Sequence, residues 1–169
     1  MRAGHRFYTV GYQGVSLDQL LDSLAHADVT LVVDTRETPM SRRAEFRGGA
    51  LAQALAGRSI DYVSLPQLGA PKALRDLVDM WDTFADGYRS RLAANGSAVT
   101  QLVKLSAGRS VCLLCFEDDP ATCHRSLLIE ELERQLPTAR TLHLRPRRID
   151  KSDDGESMRV GLHGAHDKL

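Results

Sequence analysis

Ser110-Val-Cys-Leu-Leu-Cys-Phe-Glu-Asp-Asp-Pro-Ala-Thr-Cys-His-Arg125 is the stretch that decides the fold class and points to the chemistry. Val111 to Phe116 is a continuous apolar run of the length and composition expected of a strand buried on both faces. An acidic Asp-Asp-Pro turn breaks it. Cys123, His124 and Arg125 then stand at the start of a leucine-rich helix whose body is expected over Ser126 to Leu136. One short segment thus brings thiols, a carboxylate, an imidazole and a guanidinium to a strand end and a helix N-terminus.

Working outward, the rest of the chain alternates in the same way. Phe7 to Val10, Val29 to Val33, Ile60 to Val63 and Thr141 to Leu144 read as further strands, rich in β-branched and aromatic residues. Ser16 is placed to cap a helix that carries Leu17, Leu20, Leu21 and Leu24 on one face, and Leu51 and Leu55 mark a short helix between Gly49 and Gly57. Pro71 fits a helix first turn. An apolar stripe from Leu74 through Trp81, Phe84 and Tyr88 to Leu92 predicts one long helix weakened by Gly87, and Ser97 is placed to cap the helix after it. Residues 37–47, with Pro39 and no clean period, read as a long loop.

Strands alternating with helices imply a mostly parallel sheet with right-handed crossovers covered by helices on both sides. The expected architecture is α/β: a single-domain Rossmann-like three-layer sandwich over residues 1–146, five strands in the order 3-2-1-4-5, and a polar C-terminal tail over 147–169. Arg145, Arg147 and Arg148 leave contact with nucleic acid open, a solvated tail being the plainer reading.

At 169 residues the chain has the length of one domain able to bury a core without disulfides or metal. Its 22 basic and 22 acidic residues balance, so an anion site would have to be local rather than a property of the whole surface. Three cysteines do not form a secreted disulfide framework, and neither a signal core nor a membrane-length apolar run is present. A cytoplasmic protein without membrane attachment is the expectation; the oligomeric state is left open.

The unusual polar groups fall at the ends of strands: Gly11-Tyr12, Asp34-Thr-Arg36, Leu65-Pro-Gln-Leu-Gly69 and Cys115-Phe-Glu117. In open α/β sheets ligands bind beyond the carboxyl ends of the strands, where the winding reverses. If the first and fourth strands are neighbours, the crevice lies between Gly11 and Cys115. Thr9-Val-Gly-Tyr12, Asp34-Thr-Arg36 with Pro39 and Ser41-Arg42, Tyr62 with Leu65-Pro-Gln-Leu-Gly69, and Cys115-Phe-Glu with Cys123-His-Arg125 together resemble the family catalogued as domain of unknown function 488. Thr35 stands where members commonly carry Val. The resemblance implies a cytoplasmic prokaryotic α/β protein and supplies positions without a reaction.

The residues themselves suggest roles. Arg36, Arg42 and Arg125 are expected to converge on an anion, supported by helix N–H groups near Cys123, unless Arg36 and Arg125 instead pair with Asp34 and Glu117. Asp34 and Glu117 are the acid/base candidates and Cys123 the candidate nucleophile, a thiol at a helix N-terminus beside His124 and Arg125. Gly11, Tyr12, Ser41, Gly69, Cys115 and His124 complete the substrate-binding set. Cys115 could also resolve an oxidised Cys123, and a structural role for both thiols stands beside these readings.

No metal and no other cofactor is expected. Cys112 and Cys115 should point to opposite faces of their strand, and adjacent Cys123 and His124 rarely chelate one ion. The reading is an enzyme acting on a small anionic or phosphate-bearing ligand, a nucleotide or nucleic-acid fragment. The alternative is a non-catalytic thiol redox-sensing or ligand-binding module.

Overall fold

The computed structural model describes residues 4–146, so the tail expected over 147–169 lies outside the described residues. The chain runs β1 (Arg6–Gly11), α1 (Leu17–His26), β2 (Leu31–Asp34), α2 (Gly48–Ala56), β3 (Asp61–Ser64), α3 (Lys72–Arg75), α4 (Trp81–Ala94), α5 (Gly96–Leu105), β4 (Ser110–Cys115), α6 (His124–Gln135) and β5 (Arg140–His143). All strand pairs are parallel. The α/β class and the five-stranded parallel sheet agree with the sequence.

The strand order is β3-β2-β4-β1-β5, which corrects the expected 3-2-1-4-5 by exchanging β1 and β4. The physical reason is burial. The central place goes to β4, whose Val111 to Cys115 are all buried, while the sparsely buried β3 and β5 take the edges. Because β1 and β4 are neighbours, with Gly11 opposite Cys115, the crevice condition stated from the sequence is met.

Two apolar cores flank the sheet and make three layers. On one face Leu20, Leu21 and Leu24 of α1 and Leu51 and Leu55 of α2 pack on Val10, Val32, Cys112 and Leu114. On the other, residues of α4, α5 and α6 cover Phe7, Leu31, Val33, Val111 and Leu113. Each buried leucine contributes about 1.5–3 kcal/mol, so the three of α1 suffice to anchor it. Its start is fixed by a capping box: the Gln19 N–H donates to Ser16 Oγ at 3.1 Å, and the Ser16 N–H donates to Gln19 Oε1 at 3.0 Å.

Two local expectations are revised. The long helix after Pro71 is split into α3 and α4, and Leu74 of α3 packs against Gly87 of α4, where an added Cβ would crowd the Leu74 side chain. In one straight helix those residues would lie about 20 Å apart, so Gly87, read as a weakness, is the contact that lets α3 fold back. Ser97 lies inside α5 rather than capping it; Asn95 holds the cap position without a side-chain bond to the N–H groups of α5, its amide donating back to the Arg91 carbonyl.

Candidate functional site

β4 leaves toward α6 on one face, while β1 and β2 on either side of it leave toward α1 and α2 on the other. The crevice therefore opens above β4. Ladder bonding continues past the strand ends, with Gln13 N–H donating to the Phe116 carbonyl at 2.9 Å and Thr35 N–H to the Leu114 carbonyl at 3.0 Å. Two glycines set how closely the loops cross. A Cβ on Gly11 would overlap the Glu117 carbonyl, and one on Gly69 would overlap the backbone of Glu37. Both were expected to bind substrate; both serve here as points of backbone approach.

On the α1/α2 side of β4, Asp34 and Arg36 form a buried ion pair. Arg36 Nη2 donates to Asp34 Oδ2 at 2.5 Å and Nε donates to Oδ1 at 2.9 Å; Tyr62 Oη donates to Oδ2 at 2.6 Å. The remaining guanidinium nitrogen, Nη1, donates to Tyr12 Oη at 3.1 Å and to the Phe46 carbonyl at 2.8 Å. Burial, then the hydrogen bond to Asp34, pushes the Tyr62 hydroxyl up, so it stays a donor. Tyr12 stacks on Phe46 with centroids 4.4 Å apart. The pair thus ties the β2 end to β1, to β3 and to the loop carrying Phe46.

On the α6 side lie the thiols. Cys115 Sγ is 2.8 Å from Glu117 Oε2 and 3.8 Å from His124 Nδ1; Cys123 Sγ is 3.4 Å from the same carboxylate oxygen and 3.7 Å from the same ring nitrogen. His124 Nε2 faces the Thr35 carbonyl at 3.1 Å and Thr35 Oγ1 at 3.2 Å, and that hydroxyl donates its own proton to the Leu114 carbonyl. Nε2 must then carry a proton. Nδ1 presents a lone pair to the two sulfurs when the ring is neutral and a donor when it takes a second proton.

Arg125 is buried with no carboxylate partner among the described residues. Its donors reach Cys123 Sγ at 3.3 Å, Thr9 Oγ1 at 3.5 Å and the Glu117 carbonyl. Burial alone pushes the Cys123 thiol up, but the hydrogen bond from Cys115, the His124 ring and the Arg125 charge bring it well below the usual thiol range. Cys115 moves the opposite way, raised by its bond to Cys123, by burial and by the negative charges of Cys123 and Glu117.

The two sides meet at a cavity of about 880 Å³. Of the residues singled out from sequence, Tyr12, Arg36, Ser41, Arg42, Cys115, Glu117, Cys123 and His124 line it; Asp34, Gly11, Gly69 and Arg125 stand behind its wall. The expected convergence of Arg36, Arg42 and Arg125 is thus only partial. Arg36 is engaged by Asp34, while Arg42 is exposed and makes no ion pair or side-chain hydrogen bond among the described residues. The pairing envisaged between Arg125 and Glu117 runs to the carbonyl, not the carboxylate.

Sequence reasoning missed several participants. Arg43, which lies over the Phe46 ring at 4.2 Å, and Arg75, 3.4 Å from Glu37, both border the cavity, as do exposed Met40 and Phe116. Arg43 beside Arg42 was a visible signal; Arg75, on a turn of helix far along the chain, gave none. Thr35 was noted only as a departure from the family pattern, yet it holds His124.

The spacing argument against joint chelation by Cys123 and His124 also needs revision, since their ligand atoms are 3.7 Å apart. Cys112 does point to the opposite face, as expected. Among the described residues no helix is long and apolar enough to cross a membrane. Comparison with curated proteins finds no match. The model of the family described as Domain of unknown function DUF488 matches residues 16–132, which include the Asp34 to Arg36 triplet, the thiols and His124, and the chain belongs to that family.

Proposed function

We propose that the protein is an enzyme that binds a small anionic, phosphate-bearing substrate in the crevice above β4 and attacks it with Cys123. The observation that carries this reading is that Cys123, Glu117 and Arg42, which makes no ion pair among the described residues, share one cavity. Arg42 supplies the exposed charge for the anion, with Arg43 and Arg75 beside it. Asp34, saturated by Arg36 and Tyr62, is left with an architectural role, and the proton work falls to Glu117.

In the first step Cys123 reacts as the thiolate that its surroundings favour. Its sulfur lone pair forms a bond to the electrophilic atom of the substrate, and the bond to the leaving group breaks with its electron pair. The leaving group takes a proton from solvent. Water, giving its proton to Glu117, 3.4 Å from the sulfur, then releases the bound group and returns the thiolate, and Glu117 passes that proton to solvent.

The test is a melting-temperature screen against phosphate, phosphate monoesters and nucleotides. At least one class should stabilise the wild type, Arg42→Ala should lose that shift, and Glu117→Gln should keep binding while losing turnover. No stabilisation by any phosphate compound would overturn the reading.

A second reading is favoured by the closeness of the two sulfurs, which with His124 Nδ1 lie within 4.8 Å of one another. Hydrogen peroxide would oxidise Cys123 to the sulfenic acid with release of water; the Cys115 thiol would then displace a second water to close a disulfide. Peptide mapping after mild peroxide should find the Cys115–Cys123 bridge. Free thiols throughout would remove this alternative.

A further inference from the structure

We infer that Cys115, Cys123 and His124, with the fourth position open to the cavity, form a binding site for a soft divalent metal ion, zinc being the best fit. The inference rests on the same cluster as the proposed enzyme but not on catalysis. A metal there would occupy the Cys123 sulfur and silence it as a nucleophile. The chain would then have a metal-loaded form distinct from its reactive one.

The donors are already gathered. The two sulfurs and His124 Nδ1 lie within 4.8 Å of one another, with sulfur-to-nitrogen separations of 3.8 and 3.7 Å. Ligands at about 2.0–2.3 Å from a tetrahedral zinc lie roughly 3.3–3.8 Å from each other. Glu117 Oε2 is 2.8 and 3.4 Å from the sulfurs but lies outside the three-donor group, so it could join only by turning toward His124. Thiolate and imidazole together select soft or borderline ions over magnesium or calcium.

The independent observation is the support behind the imidazole. Nε2–H is held by the Thr35 carbonyl and hydroxyl, and Thr35 is itself fixed to β4 through the Leu114 carbonyl. That arrangement turns Nδ1 toward the sulfurs and is the outer-shell support that metal-bound histidines use. The three donors come from the β4 end and the α6 start, elements fixed by the core, so the cluster is preorganised. On binding, any proton still on a sulfur goes to solvent and each sulfur gives a lone pair to the ion.

The test uses the full chain, reduced and stripped with a chelator, titrated with Zn²⁺ and separately with Co²⁺. One zinc per chain should bind with release of protons, and cobalt should give the near-ultraviolet thiolate charge-transfer band and the intense visible bands of four-coordinate cobalt. Cys123→Ser and Cys115→Ser should each weaken binding by at least the ~100-fold reached when outer-shell partners are lost, Glu117→Gln by less, and Cys112→Ser not at all. A wild-type cobalt spectrum without a thiolate band would overturn the inference whether or not any variant folds. Cobalt bound equally well by Cys123→Ser would overturn it too. Neither result touches the enzyme reading, which stands or falls on phosphate compounds and Arg42.

Discussion

The two flanks of the β4 carboxyl end are built on opposite principles. On the Asp34 flank every carboxylate lone-pair direction in use is matched by a short, charge-assisted bond: Arg36 from the backbone and from two side-chain nitrogens, and Tyr62 from the next strand. On the Cys123 flank the contacts at the thiols are sulfur contacts of 3.3–3.8 Å, apart from the closer Cys115 to Glu117 approach. The first flank fixes loops; on the proposed reading the second keeps its thiols available for chemistry. The buried Arg36 charge is matched by a carboxylate, whereas the buried Arg125 charge meets only a sulfur, a hydroxyl and a backbone carbonyl among the described residues.

That contrast can be broken by measurement. Asp34→Ala leaves the Arg36 guanidinium buried without its partner and should cost about 3–5 kcal/mol in chemical denaturation. Tyr62→Phe removes one bond to the charged carboxylate and should cost about 1.5–3 kcal/mol. Cys123→Ala should cost about 1 kcal/mol or less, because the side chain borders a cavity. A loss matching that of Asp34→Ala would make the thiol flank as structural as the other.

The same flank should be set apart by its pH response. In the presence of chelator, a small alkylating reagent should modify Cys123 in preference to Cys115. The Cys123 rate should hold as pH falls through the ordinary thiol range and drop only below its depressed value, since the thiolate is the reacting form; Cys115 should need higher pH than a free thiol. Equal pH profiles for the two would erase the asymmetry. Smallest of all, Arg42→Ala should change stability by no more than about 0.5 kcal/mol, being exposed and without an ion pair among the described residues.

The sequence made the elements legible where local physics decides them. The Ser16 cap, the leucine face of α1 and the apolar β4 run all formed near the expected residues. It did not reveal the exchange of β1 and β4, because periodicity reports that a strand is buried and not which strand lies beside it. The unbroken apolar run from Val111 to Phe116 was the available hint. Much of the cavity lining was readable because strand ends in a parallel sheet share one edge. Arg75 and the clamp from Thr35 to His124 were not, since each depends on contacts across 38 or 89 residues of chain.

Cys112 gives the molecule an internal clock. It lies on the same strand as Cys115 but is sealed under α1 and α2, and burial raises its thiol far above the ordinary range. A reagent can reach it only when that layer lifts, whereas Cys123 is approached through the cavity with the fold intact. The ratio of the two labelling rates therefore reads, in a single sample, how often the layer opens relative to how readily the site reacts.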